Sequence, residues 1–273
     1  MSDITVINDS EQSSLVTNGL AKNGELYLKA DGSTDAGAIV VYDSGSWRTF
    51  ANEASPSFQN QYSVEFDGTN DFMSVAANSS LDTTGDCSAS FWVYLDSTAG
   101  YRASVNKRDA GTLNWQCGIT GAKISLFIGS GSITLTGTTT ITENAWHHIA
   151  FSVDVGATNG AILYLNGSVE TTATASSFNN NGAGFTIGDN TRNRFFDGQI
   201  DEVAWFHSAL SGSDISSIYN SGVPTDISSY SPVAWWRMGD NDGGTGTTIT
   251  DQGSGGNDGT LTNGPTFSTS VPS

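Results

Sequence analysis

Two runs of strand-forming residues, Ala161-Ile162-Leu163-Tyr164-Leu165 and Ser168-Val169-Glu170-Thr171, flank the dipeptide Asn166-Gly167. Asn-Gly is the preferred two-residue hairpin connection because both residues tolerate positive φ. This part of the chain must therefore double back as antiparallel β-structure. Similar punctuation recurs: Asp67-Gly68 follows Tyr62–Phe66 and precedes Phe72–Ala76, and Gly129-Ser130-Gly131-Ser132 separates Lys123–Ile128 from Ile133–Thr136. Cys87, Ala89, Phe91, Val93 and Leu95 alternate onto one face, with Trp92 and Tyr94 on the other, so both faces are covered in part. Trp146–Val153 sets His147, Ile149, Phe151 and Val153 together, and Gly184–Gly188 and Gln199–Phe206 complete the strands. Thirty-two glycines against five prolines suit many short strands joined by tight turns. At 273 residues the chain can bury a full core. The predicted class is all-β, an antiparallel sandwich. One short helix is predicted, starting at Ser211 with Asp214 three residues on, burying Ile215, Ile218 and Tyr219, and stopping at Gly222 before Pro224.

Composition excludes several partners. Ten Lys and Arg residues and a formal net charge of −18 leave no basic face to neutralise a phosphate backbone. An acidic surface instead favours solubility and can hold hard cations. Met1-Ser2-Asp3-Ile4-Thr5 shows no basic segment leading into an apolar run, so no signal peptide is predicted, and no apolar span reaches the ~20 residues of a membrane crossing. Cys87 and Cys117, the only cysteines, both fall on alternating strands. Buried thiols and a single disulfide are both open, and a domain this large does not need a disulfide framework.

Residues 1–55 read as a separate small β-module: Glu25–Lys29, Ala38–Tyr42 and Ser46–Phe50 alternate, with turns at Asp31-Gly32 and Asp43-Ser44-Gly45. A strand ending in Tyr, an Asp/Ser/Gly turn and a Ser-Trp strand together resemble small β-modules of bacteriophage fibre and virion proteins. About 55 residues have little core of their own, so the module is expected to pack on a neighbour or on copies of itself; a plain hairpin appendage is the alternative. Residues 1–20 carry no apolar period and read as a flexible arm, and Ala51–Pro56 as the linker.

Beyond residue 55 the order of features is specific. Phe66-Asp67-Gly68-Thr69-Asn70-Asp71-Phe72 is followed by Ser90-Phe91-Trp92-Val93, Trp146-His147-His148-Ile149-Ala150-Phe151 and Leu163-Tyr164-Leu165-Asn166-Gly167. Ile187-Gly188-Asp189, Phe196-Asp197-Gly198-Gln199-Ile200-Asp201-Glu202-Val203 and an Ala-Leu-Ser helix start come next. This series resembles the laminin-G-like, concanavalin-A-like jelly rolls across roughly residues 57–222. The fold implied is an antiparallel jelly-roll sandwich over residues 56–273. Val233–Asp240, Thr248–Asp251 and Asn257–Gly264 are similar to the segment that usually begins such domains. Either residues 230–273 complete the sandwich of a circularly permuted domain, or they begin a truncated second copy; about 40 residues are too few for another sandwich, which favours permutation.

The resemblance implies candidate sites. Related jelly rolls hold Ca²⁺ at a sandwich edge through aspartates and backbone carbonyls, the hard oxygen ligands that ion needs, and here it points to Asp67, Asp71, Asp189 and Asp201. Turn formation by Asp67-Gly68 and backbone hydrogen bonds to Asp201 are the competing roles. The related glycosidases carry a Glu-x-Asp-x-x-Glu pattern that sets two carboxylates on one strand face. Glu65, Glu143, Glu170 and Glu202, the only glutamates beyond residue 55, do not form it, so no enzyme is expected. Tyr101, Trp115, Arg192, Arg194 and Phe195 fall in or beside loops, where an aromatic with polar neighbours can stack and bond a sugar; core capping and charge pairing are the bland alternatives. The expectation is a non-enzymatic bacteriophage virion protein, made without a signal peptide. Its N-terminal module would dock on other virion proteins, a homotrimer being plausible, and its jelly roll would touch host-surface polysaccharide. A bacterial carbohydrate-binding or adhesion module is the alternative.

Overall fold

The structure is a computed structural model and describes residues 5–7, 26–29, 39–43, 46–50, 58–83, 85–108, 113–129, 133–177, 182–188 and 194–273. The linker 51–56, the turns at 31–32 and 44–45, and the predicted site residues Asp189 and Arg192 lie outside the described residues. The chain divides into two compact units, Met1–Gln59 and Asn60–Ser273.

The first unit is a four-stranded sheet of β1 (Thr5–Ile7), β2 (Leu26–Lys29), β3 (Ile39–Asp43) and β4 (Ser46–Phe50), in that order. β1 runs parallel to β2, and the other pairs are antiparallel. Thr5–Ile7, within the stretch that carries no apolar period, is thus a strand.

The second unit is a sandwich of two eight-stranded antiparallel sheets. The strands that follow are β5 (Ser63–Asp67), β6 (Phe72–Val75), β7 (Cys87–Leu95), β8 (Tyr101–Arg108), β9 (Leu113–Thr120), β10 (Lys123–Ile128), β11 (Ile133–Thr136) and β12 (Trp146–Val153). They continue with β13 (Ala161–Leu165), β14 (Ser168–Ala173), β15 (Phe185–Ile187), β16 (Asp197–Phe206), β17 (Ala234–Trp236), β18 (Thr248–Ile249), β19 (Gly259–Thr262) and β20 (Thr266–Ser268). The first sheet has the order β11-β10-β9-β8-β15-β6-β19-β18, and the second β14-β13-β12-β7-β16-β5-β20 with β17 beside β16. The fold is the all-β jelly roll expected from the sequence. The β13–β14 turn has Asn166 and Gly167 at φ 49° and 73°, both in the left-handed region that two-residue hairpins require.

The core lies between the sheets. Val64, Phe91, Val93, Ile149 and Phe151 of one sheet face Met73, Val105, Cys117, Ile124 and Leu126 of the other, all fully withdrawn from solvent. Trp115 stacks on Trp205 with centroids 5.3 Å apart and planes 13° apart, and Phe151 and Phe185 meet it edge-on. Cys87 and Cys117 are buried free thiols.

Residues 234–268 add strands to both sheets. β17 pairs with β16, β19 with β6 and β20 with β5, and Trp236, Met238 and Ile249 enter the core. Helix α1 (Gly212–Tyr219) starts with a capping box, Ser211 and Asp214 each bonding the other's backbone N–H. It ends at Asn220 in the left-handed conformation (φ 45°), two residues before the predicted Gly222 stop. Asparagine reaches that conformation locally, so glycine is not required. Among the described residues no helix is long and apolar enough to cross a membrane.

Candidate functional site

The alternation of β8, β9 and β10 fixes which side chains leave the core. Val105, Cys117 and Leu126 share a rung facing inward, so the next rung, Asn106–Gln116–Phe127, faces outward. It extends across the sheet to Thr134 on one side and to Thr186, Ser74 and Thr260 on the other. A neighbouring outward rung is Ala103–Gly118–Ser125–Thr136, and beyond it lies Tyr101–Thr120–Lys123.

This face is polar, yet its centre is shielded from water. Asn106, Gln116 and Ser125 are only 0%, 3% and 1% exposed, while Thr260, Thr134 and Thr136 at the sides are exposed. Asn106 Nδ2 donates to the Thr186 carbonyl at 3.1 Å, and Arg108 Nη1 donates to Gln116 Oε1 at 3.3 Å. Asn106 Oδ1, Gln116 Nε2 and Ser125 Oγ have no partner among the protein atoms. Each such group costs about 1–3 kcal/mol when neither protein nor solvent satisfies it. Two half-buried rings border them: Tyr101 and Phe127 meet with centroids 5.8 Å apart, although their positions lie four residues apart along β9.

Tyr101 also borders the loop edge of the sandwich. The Arg194 guanidinium lies 4.5 Å from the Tyr101 ring centroid, a cation–π contact. The Ala103 N–H donates to the Arg194 carbonyl at 3.3 Å, and Arg102 Nη1 to the Phe195 carbonyl at 3.0 Å. Arg102 also pairs with Asp197 at 3.5 Å. Tyr101, Arg194 and Phe195, named from sequence as glycan candidates, thus come together.

Trp115 does not join them. It is 1% exposed and sandwiched among Trp205, Phe151 and Phe185, so neither ring face is open to a sugar. The expectation that it lies in or beside a loop is corrected: it is the third residue of β9 and points inward.

The aspartates named for Ca²⁺ separate. Asp67 ends β5 and Asp71 lies in the β5–β6 loop. Asp67 Oδ1 accepts the N–H groups of Thr69 (2.8 Å) and Asn70 (3.2 Å), and Asp71 Oδ2 accepts the Asp67 N–H at 3.2 Å. The Thr69 bond, ahead of the others, lowers the Asp67 carboxyl, whereas burial raises that of Asp71. Asp201 lies on β16, four residues beyond the Asp197 that pairs with Asp67, or ~13 Å along a strand. It is fully buried and accepts Asn60 Nδ2 and the Glu202 N–H at 2.9 and 2.8 Å. Among the described residues no three His, Cys, Asp or Glu side chains converge as metal ligands. Two carboxylates around one turn are what these residues bring to a cation that takes six to eight oxygens. They do not by themselves fit it, and no role is derived through it.

The sequence missed a buried cluster beneath the C-terminal segment. β16 carries a bulge between Asp201 and Ala204, with Glu202 at φ 48°. Glu202 accepts Trp235 Nε1 (2.6 Å) and Arg237 Nε (3.0 Å); Arg237 Nη2 reaches Asp240 (2.9 Å), and Asp240 accepts the Gln61 and Tyr62 N–H groups. Burial raises both the Asp201 and Glu202 carboxyls, and their mutual repulsion raises Asp201 further. Nearby, Ser90 Oγ lies 2.8 Å from His148 Nε2. Burial pushes that imidazole down to about 3, so it is neutral and shares one hydrogen bond with the Ser90 hydroxyl.

A family model described as the concanavalin A-like lectin/glucanase superfamily, of laminin-G type, matches residues 67–216, more than half of the chain. The chain belongs to this superfamily. Comparison with curated proteins gave no match. Among solved structures, a presumed carbohydrate-binding protein of Bacteroides ovatus superposes with a TM-score of 0.61 at 17% identity, over 92% of this chain and 71% of that one. The SAP-like pentraxin of Limulus polyphemus gives 0.48 at 14% identity, over 59% and 82%. Domain 4 of the arabinanase AbnA of Geobacillus stearothermophilus, solved with arabinotriose, gives 0.43 at 21%, over 72% and 82%. At these identities the Bacteroides likeness shows the fold. The superfamily includes glucanases; of the four glutamates beyond residue 55, three are engaged in structural bonds. Glu143 accepts Thr98 groups, Glu170 holds Thr138 and Thr139, Glu202 is buried in its cluster, and Glu65 stands exposed on β5.

Proposed function

We propose that this chain is a non-catalytic, lectin-like glycan-binding protein and that the ligand lies on the outer face of β8, β9 and β10. One observation carries the reading: the half-buried Tyr101 and Phe127 rings meet on the outward polar face of β8, β9 and β10. A sugar matches the accessible part of this face, its apolar ring faces packing on the two rings and its hydroxyls reaching the exposed Thr134 and Thr136 beside them. The likeness to the Bacteroides ovatus protein, a presumed carbohydrate binder, agrees with that choice. The test is retention of the full chain on immobilised polysaccharides of varied composition, with Tyr101→Ala in parallel. Tyr101 is half-buried at the end of a strand, so its loss spares the core. Retention of the wild type that falls about 10-fold in the variant is expected; no retention on any polysaccharide overturns the reading.

We further propose display on a bacteriophage particle, with residues 1–59 as the docking unit. The support is the small separate four-stranded sheet and the Tyr42-to-Trp47 strand-turn-strand pattern resembling virion modules. A unit this small gains from packing on virion proteins or in a homotrimer. Mass spectrometry of purified particles and light scattering of the isolated chain test it. A protein absent from particles and monomeric in solution would leave the alternative of a bacterial carbohydrate-binding module.

A further inference from the structure

The basic residues are few and unevenly placed. Of the seven Lys and Arg residues between 60 and 273, Arg102, Lys107, Arg108 and Lys123 lie on β8 and β10, and Arg192 and Arg194 lie between β15 and β16. Only Arg237 is elsewhere. In a chain of net charge −18, six of seven cations confined to β8, β10 and the β15–β16 connection run against the overall composition.

Several of these cations are already used. Lys107 pairs with Asp82 and donates to the Ala183 carbonyl, Arg102 pairs with Asp197, and Arg108 donates to Gln116. Lys123 and Arg194 have no carboxylate partner among the described residues. Lys123 is half-buried on the outward rung Lys123–Thr120–Tyr101, about 10 Å from Tyr101 at two strand spacings. Arg194, exposed, lies over the Tyr101 ring from the opposite side of that rung. Two uncompensated cations therefore flank one aromatic platform, and Ser125 Oγ, buried and unpartnered, sits one outward position further along β10 from Lys123.

Resting on the glycan-binding reading above, we infer that the ligand is an acidic glycan, with a carboxylate or sulfate held between Lys123 and Arg194 while the sugar ring packs on Tyr101. A neutral sugar would leave two cations beside a desolvated face without a counter-charge; an anionic group makes charge-assisted bonds to both, which are about twice as strong as neutral ones. The rest of the surface repels polyanions. At 0.15 M salt the Debye length is about 8 Å, which confines that repulsion and leaves the local cations in control.

The experiment measures binding of the full chain at 0.15 M salt to polygalacturonate, dextran sulfate and uncharged dextran. Wild type is compared with Lys123→Gln, Arg194→Gln and Tyr101→Ala. Both charge variants remove exposed or half-buried groups without ion pairs, so folding is expected to survive; the melting curve verifies it. Binding to one polyanion about 10-fold tighter than to dextran is expected, with each charge variant losing about 10-fold for the polyanion alone. Preference for polygalacturonate assigns a uronic- or sialic-type carboxylate, and preference for dextran sulfate a sulfated sugar. If dextran binds as tightly, Tyr101→Ala abolishes it and the charge variants change nothing, this inference falls while the glycan reading stands. If no polysaccharide binds, both fall.

Discussion

Replacing Arg237 by Met removes the one cation from a cluster that holds three carboxyl groups. Arg237 is 12% exposed and contacts Glu202 at 3.0 Å and Asp240 at 2.9 Å; its guanidinium also lies 5.3 Å from the Trp235 ring. Without it Asp201 and Glu202 remain buried, with Trp235 Nε1, Asn60 and one backbone N–H as their donors. Breaking a buried pair from one side costs about 3–5 kcal/mol, but protonation of the stranded carboxyls relieves part of it. In the wild type both carboxyls are raised by burial, so the folded state holds more protons than the unfolded chain above the usual carboxylate range. This contribution to stability is present at acid pH and is lost as pH rises. Removing Arg237, which favours ionised Glu202, extends that loss. The expected cost is about 1–2 kcal/mol at pH 5, where protonation is cheap, and about 3–5 kcal/mol at pH 8. The change is bounded by ~1.4 kcal/mol per pH unit for one retained proton. His147, His148 and His207, all lowered by burial, act oppositely below their ordinary range near 6.5, but they are common to both proteins and cancel in the difference. Urea unfolding followed by tryptophan fluorescence reports the sandwich, which holds six of the seven tryptophans. An equal cost at both pH values, or less than about 1 kcal/mol at pH 8, would refute the reasoning.

Three further outcomes follow from the packing. Deleting residues 230–273 removes β17–β20 and the buried Trp236, Met238 and Ile249; the truncated chain is expected to lose its cooperative thermal transition, and a melt like that of the full chain would contradict the pairing. Trp115→Ala is expected to cost about 3–5 kcal/mol in urea unfolding, and a variant of native stability that loses only glycan binding would restore Trp115 as a surface residue. Gly198→Ala puts a Cβ 2.1 Å from the Tyr94 carbonyl at φ 133°, so β16 and β7 must separate there; a melting temperature unchanged from wild type would show that the close approach is not real.

Legibility in the sequence follows how local each signal is. The β13–β14 hairpin is specified by two residues, and the start of α1 by Ser211 and Asp214 three apart, so both stand where the sequence puts them. The outer face of β8–β10 is not local. Asn114-Trp115-Gln116-Cys117 alternates like any strand with one wet face, and nothing in the four residues says that Gln116 is as dry as Cys117. That depends on the shape of the whole sheet. The Asp201–Glu202 cluster was hidden for a related reason: its cation, Arg237, is 35 residues away from Glu202 in a segment that only the completed sandwich brings alongside. Aspartates chosen by resemblance fell into different places because Asp201 follows the inward-outward order of β16, whereas Asp67 and Asp71 follow a turn.

The central claim is that ligand occupies the outer face of β8, β9 and β10. Amide hydrogen exchange of the full chain, read by mass spectrometry with and without a saturating polysaccharide that the chain retains, tests it directly. Slowed exchange confined to peptides covering Tyr101–Arg108, Leu113–Thr120, Lys123–Ile128 and the segment around Arg194 is the expected result. Protection confined to β12–β14, or to residues 1–59, would place the ligand elsewhere and contradict the account.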